Sequence, residues 1–272
     1  MRNTPILLAL CGCMCAAPLY ASFDLTPTDP RGLAMSGAMT AVDGGAFGMQ
    51  YNPAAPSLKK RLSAGAAYAI PYGESESATT SGAANWANLP FDHEGAISSG
   101  LKIFSPQSYR EQTVSVGYSR ALSTSIHAGV SLSRMSLNVD GRPDRSATGV
   151  NAGLLAELRP GLVLGISSFN INSPSIGSRL HRTTLAGLSY RFENGNLLTA
   201  DAEGDPDRPG RILAAGEFIL LPSVSVMLGA GTNPSVVSAG ASFGTGPVSA
   251  TVAVSRNIDL GTTAAFGLEL KL

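Results

Sequence analysis

The chain has 272 residues, with 19 Lys+Arg against 19 Asp+Glu, so its formal net charge is zero and nothing in its electrostatics invites nucleic acid. Charged residues are 14%, well below the roughly 25% of soluble domains, and the 31 glycines exceed the usual ~7% share. With 44% hydrophobic residues in many strand-like runs, disorder is excluded and the choice narrows to a soluble all-β protein or a membrane barrel.

The first element is a leader. Arg2 precedes the apolar run Ile6 to Leu10, and Leu19-Tyr20-Ala21 closes the segment with a small residue. That order reads as a secretory signal peptide over residues 1–21, too short to cross about 30 Å of hydrocarbon. Leu10-Cys11-Gly12-Cys13 also looks like a lipidation box, which is the alternative reading of the same stretch. Cys11, Cys13 and Cys15 all lie in the leader, so the mature chain is expected to hold no disulfide and no thiolate metal site. No later stretch has the ~18 consecutive apolar residues of a spanning helix.

Residues 22–30 are a lead-in interrupted by Pro27 and Pro30, spacing that neither a helix nor a central strand tolerates. Residues 31–55 differ from all that follows: small side chains, interspersed Met and Phe, a lone Asp43, and Tyr51-Asn52-Pro53-Ala54-Ala55 at the end. Residues 22–58 are therefore assigned to a plug and residues 59–272 to the strands around it. Ala34 to Val42 is expected to form one short helix, stopped by Gly44-Gly45. Met35, Met39, Phe47 and Met49 are candidate contacts for an apolar ligand, because Met adapts to varied shapes, and equally candidates for plug core. Asp43 inside a lumen needs a partner, expected to be an inward Arg or Lys, such as Arg191 or Lys271, or plug backbone amides.

From about residue 62 onward the pattern has period two. Val114, Val116 and Tyr118 alternate with Ser115 and Gly117; Ile126 to Leu132, Val150 to Leu158, Ala186 to Phe192, Val224 to Ala230, Val248 to Val254 and Ala264 to Leu272 behave likewise. Asp140-Gly141, Pro160-Gly161, Asn194-Gly195 and Asn257 to Asp259 supply turns, while 72–94 and 201–210 read as longer links. The count is 12 to 14 strands. A soluble sandwich with its apolar face inward shows the same alternation. The leader, the absence of mature Cys, strands reaching Leu272 and polar faces of Gly, Ser and Thr together favour an all-β, antiparallel, up-and-down transmembrane barrel with the plug in its lumen. Tyr68, Tyr72, Tyr118, Tyr190, Phe192, Phe218, Phe243 and Phe266, near strand ends, are the candidate aromatic girdle.

The ordered series Arg31-Gly32-Leu33-Ala34-Met35-Ser36-Gly37-Ala38-Met39-Thr40-Ala41-Val42-Asp43, then Tyr51-Asn52-Pro53-Ala54-Ala55, resembles the opening of the FadL-type outer-membrane proteins, a superfamily that also holds PorV-like barrels. The resemblance covers about 25 residues by motif and the remainder by pattern. It implies a hatch, with Arg31, Gly37, Asp43, Asn52 and Pro53 as its motif residues, inside a barrel commonly of 14 strands. It also implies a place in the outer membrane of a Gram-negative (diderm) bacterium. The activity implied is passage of small hydrophobic compounds such as long-chain fatty acids; the alternative is a PorV-like scaffold that binds secreted or surface proteins. Partners are then outer-membrane lipid, a small hydrophobic ligand or a secreted protein, with no nucleic acid and no cofactor. The chain is shorter than the fatty-acid transporters, and Leu272 stands where such barrels often end on an aromatic.

Enzyme motifs do not survive inspection. Gly240-Ala-Ser242-Phe-Gly244 matches a nucleophile elbow, but every His precedes it and it lies in strand patterning. His127 and Ser131 share a strand face at about 13 Å, beyond hydrogen-bond reach. Asp201, Glu203, Asp205 and Asp207 imitate a calcium loop, but Pro206 replaces the required Gly and Ile212 the bidentate Glu, leaving a solvated loop. No catalytic residue and no metal site is expected.

Overall fold

The computed structural model describes Phe23 and residues 25–272 apart from Lys60; the leader assigned to residues 1–21 lies outside them. Fourteen antiparallel strands close into a barrel: β1 (Leu62–Ile70), β2 (Thr79–Leu89), β3 (Asp92–Phe104), β4 (Tyr109–Ala121), β5 (Ile126–Val139), β6 (Arg145–Arg159), β7 (Leu162–Phe169), β10 (Thr183–Arg191), β11 (Leu197–Asp205), β12 (Arg208–Leu221), β13 (Val224–Gly231), β14 (Val236–Thr245), β15 (Val248–Asn257) and β16 (Gly261–Lys271). Between β7 and β10 the two-residue strands β8 (Ser175–Ile176) and β9 (Ser178–Arg179) pair only with each other. Closure comes from β1 pairing with β16, Ser63 opposite Lys271, so no sheet edge is left open.

The alternation resolves the sandwich question. Every barrel strand turns large apolar side chains outward, among them Val116, Leu132, Leu154, Ile166, Leu188, Leu228, Val252 and Leu268, all exposed. The opposite rows are small: Ser63, Ser81, Ser98, Ser119, Ser131, Ser167, Ser189, Ser225 and Thr251 are buried against the lumen. A protein dressed this way is satisfied in lipid, where a closed barrel leaves no backbone group unpaired.

Two strand ends differ. At the end holding Leu62 and Lys271 the connections are short, the longest being residues 192–196; at the other they reach residues 170–182. The first is the short-turn end of the barrel. Trp86, Tyr118, Tyr190, Phe218 and Phe243 gather on outward rows near that short-turn end, while Tyr68 lies nearer the other. The aromatic girdle is thus largely one-sided.

Two stretches expected to be long links are strand. Residues 79–89 form β2, whose inward Thr79, Ser81, Ala83 and Asn85 and outward Thr80, Gly82 and Ala84 are all small or polar. Outward Trp86 apart, such a strand has little hydropathy contrast; its ladders to β1 and β3 define it. Residues 201–205 complete β11, and β12 resumes at Arg208 after Pro206-Asp207. The calcium-loop imitation is therefore an alternating row, with Asp201, Glu203 and Asp205 turned away from the lipid face, rather than a solvated loop.

The hatch helix also departs from expectation. It spans Pro30–Ala34, not Ala34–Val42. Asp29 caps it by accepting from the Gly32 amide at 2.8 Å, and Pro30 occupies the first turn, where its missing N–H costs nothing. Ser36 (φ 50°) and Gly37 (φ 86°) then turn the chain left-handed and end it. Two short 3₁₀ segments follow, Gly45–Gln50 and Ala55–Leu58, before β1 begins.

Candidate functional site

The site is the barrel lumen, divided by the hatch into a charged floor and a cavity above. The hatch is seated on inward-facing glycines of the wall. A Cβ on Gly229 would come within 2.6 Å of the Met35 carbonyl carbon, and one on Gly240 within 2.6 Å of Ala34 Cβ. At Gly129 it would overlap the Pro53 carbonyl, and at Gly165 the Thr40 carbonyl. The glycine row is therefore what lets one backbone lie directly on another.

Side chains lock that seat. Asn52, fully buried, donates from Nδ2 to the Thr40 carbonyl at 2.8 Å and to the β6 carbonyl of Leu154 at 3.3 Å, while its Oδ1 accepts the Ala54 amide at 2.9 Å. A buried amide that satisfies hatch and wall together explains why the turn ends in Asn-Pro. Pro53 packs beside it over Gly129 and Gly153. Asp201 of β11 accepts the Thr40 amide at 2.9 Å, and Ser189 of β10 donates to the Ala41 carbonyl at 2.7 Å. Ser36, just before Gly37, is held by Ser238 of β14.

The floor is ionic. Arg31 pairs with Glu217 of β12 at 2.7 Å and donates to the Asp43 carbonyl. Asp43 pairs with Arg61 at 2.9 Å and also accepts the Gly45 amide at 3.0 Å, so its ionic partner is the residue just before β1 and neither Arg191 nor Lys271. Lys271 instead holds Glu269, which accepts the Ala46 amide. Nearby, burial pushes the Asp29 carboxyl above its usual range, against hydrogen bonds from Tyr51 and the Gly32 amide that pull it down.

Above the hatch lies a cavity of about 140 Å³. Phe23, Leu25 and Pro27 of the lead-in, Gly37, Thr40 and Met49 of the hatch, and Met135, Phe169, Leu185 and Leu213 of the wall line it, with Lys102, Glu203 and Arg211 as its charged members. Of the four hatch residues considered as ligand contacts, Met49 is on this cavity. Met35 and Met39 are fully buried in a cluster with Leu33, Val42, Leu197 and Met227, and Phe47 packs on Ala46 and Ala67. Wall residues went unnoticed in the sequence, although a signal existed. Met135, Leu185 and Leu213 are large apolar residues set on the inward phase, where Ser, Gly and Thr are the rule.

The remaining sequence candidates find partners in the hatch and the wall. His127 meets Ser57 of the hatch, Nδ1 to Oγ at 2.9 Å, and Ser131 instead accepts from Asn151. Ser242 accepts from Thr251 within the sheet.

No family model and no curated protein matches the sequence. Solved structures do. The Ralstonia pickettii toluene transporter TbuX superposes with a TM-score of 0.70 at 13% identity, covering 92% of this chain and 100% of that one. In fold, the chain is a FadL-type barrel. The monoaromatic hydrocarbon channel CymD (TM-score 0.68, 14% identity, 92% and 98% covered) and a Pseudomonas aeruginosa FadL homologue (0.64, 11%, 90% and 98%) share the FadL-type arrangement. At these identities the likeness speaks for architecture, and it agrees with the hatch motif read from residues 31–55.

Proposed function

We propose that this FadL-type barrel is an outer-membrane channel for small hydrophobic compounds, of single-ring rather than long-chain size. The observation that carries the reading is the cavity directly above the hatch. At about 140 Å³ it is close to the ~150 Å³ at which an engineered apolar cavity takes up benzene. Its lining of Met49, Phe23, Leu25, Leu185 and Leu213 offers dispersion contacts to an apolar ring. Passage onward requires the hatch to shift, because the hatch backbone fills the lumen between Gly129, Gly165 and Gly229. The similar structures include a toluene transporter and a monoaromatic hydrocarbon channel, which supports the same ligand class here.

The test is uptake of labelled toluene and of a labelled long-chain fatty acid by a deletion strain with and without the complementing gene. Toluene uptake restored by the gene supports the channel. Uptake unchanged while a surface protein disappears from the deletion strain would replace it with the scaffold role.

A further inference from the structure

At the lip opposite the short turns three donor side chains converge that belong neither to the hatch nor to the cavity. His181 is the next-to-last residue of the 170–182 connection, Asp205 ends β11, and Asp207 sits in the turn to β12. His181 Nδ1 is 3.2 Å from Asp205 Oδ2 and 3.9 Å from Asp207 Oδ2, and one ligand atom from each residue lies within 4.8 Å of the others. We propose that these three side chains form a binding site for a zinc-class divalent cation that staples the β8–β9 hairpin to the barrel rim.

The donor set and its spacing argue for this cation. Ligands about 2.0 Å from a tetrahedral ion stand about 3.3 Å apart, close to the His181–Asp205 separation. Asp207 has a largely exposed side chain, so a small rotation brings its carboxylate in. Asp205 is fixed: its side chain is almost wholly buried, with Oδ2 facing the imidazole and Oδ1 accepting the Asp207 amide. One imidazole and two carboxylates suit Zn²⁺ and its first-row neighbours, whereas Ca²⁺ takes six to eight oxygens, which this corner lacks. A fourth position stays open for water.

The consequence is mechanical. The hairpin preceding His181 folds inward, burying Ile176 and Leu180 with Met135 against Phe23, so it roofs the lumen next to the cavity. Asn170, on the cavity, donates to the His181 carbonyl at 3.0 Å, linking the proposed metal corner to the roof. A cation joining His181 to the β11–β12 turn therefore ties the roof to the wall at one point. This holds whether or not the barrel is a channel.

The experiment is titration of the mature protein in detergent with Zn²⁺ by calorimetry, with Co²⁺ absorption as a probe of coordination geometry. One Zn²⁺ per barrel is expected, with tetrahedral Co²⁺ bands and slower amide exchange over residues 170–182 on binding. Asp207→Asn, an exposed change that leaves the fold intact, weakens binding about tenfold or more, and His181→Ala more still. Heat-modifiable gel migration verifies that each variant is folded. Absence of saturable one-to-one binding, binding unchanged in His181→Ala, or displacement of Zn²⁺ by Ca²⁺ would each overturn the assignment.

Discussion

If the wall glycines exist to seat the hatch, a single methyl group on one of them should dislodge it. Gly165 on β7 is the sharpest case. A Cβ there would overlap the Thr40 carbonyl oxygen and lie 2.8 Å from the Thr40 carbonyl carbon and 2.9 Å from Ala41 Cα. These are backbone atoms, held by Asn52 and Ser189 through their carbonyls, so no flexible side-chain tip can swing aside. Overpacking of this kind costs about 1–3 kcal/mol. Because the barrel ladder is untouched, the cost falls on the hatched state, and the dislodged population rises roughly 5- to 150-fold. Hydrogen exchange at the Thr40 amide, bonded to Asp201, reads this directly, and influx of a bulky dye into cells reads the resulting opening. Gly204→Ala is the control, since its nearest contact would be 4.0 Å from the Thr184 carbonyl oxygen. Equal exchange and equal leak in Gly165→Ala and wild type, with the barrel still heat-modifiable, would refute the seating argument.

Four further outcomes follow from the same geometry. Asn52→Ala leaves the Ala54 amide and the Thr40 carbonyl unpaired in a dry site and should cost about 2–3 kcal/mol in barrel unfolding by denaturant, a loss Asn52→Gln only partly restores. Glu217→Gln strips the charge facing Arg31 at 2.7 Å and should cost about 2–4 kcal/mol, measured as raised exchange across residues 30–43. Burial raises the Asp29 carboxyl, so the folded protein binds the extra proton; its contribution is present at low pH and is lost as pH climbs above the ordinary value of 3.8. Asp29→Asn keeps the cap, and its hatch exchange should therefore vary less with pH than wild type as pH rises from 4. Leu213→Trp fills the cavity and should abolish toluene binding, whereas Met49→Ala enlarges it and should admit bulkier rings; calorimetry on both checks the cavity assignment.

The sequence alone carried the inside-out barrel and the hatch. Period-two runs such as Val114 to Tyr118 put apolar rows on one face and Gly, Ser and Thr on the other, and that pattern is local, so the chain shows it directly. The ordered residues from Arg31 to Ala55 likewise marked the plug segment. Tertiary structure alone decided the rest, because each feature depends on residues apart in sequence. Strand β2 has little hydropathy contrast beyond Trp86 and is defined by its two neighbours. Asp43 found Arg61 because the hatch and the start of the first strand meet at the charged floor. The cavity draws on β5, β10 and β12 at once, and the lip corner joins His181 to Asp205 across two adjacent strands. Local alternation fixes which way a side chain points; only closure of the barrel, through its register, fixes what it meets there.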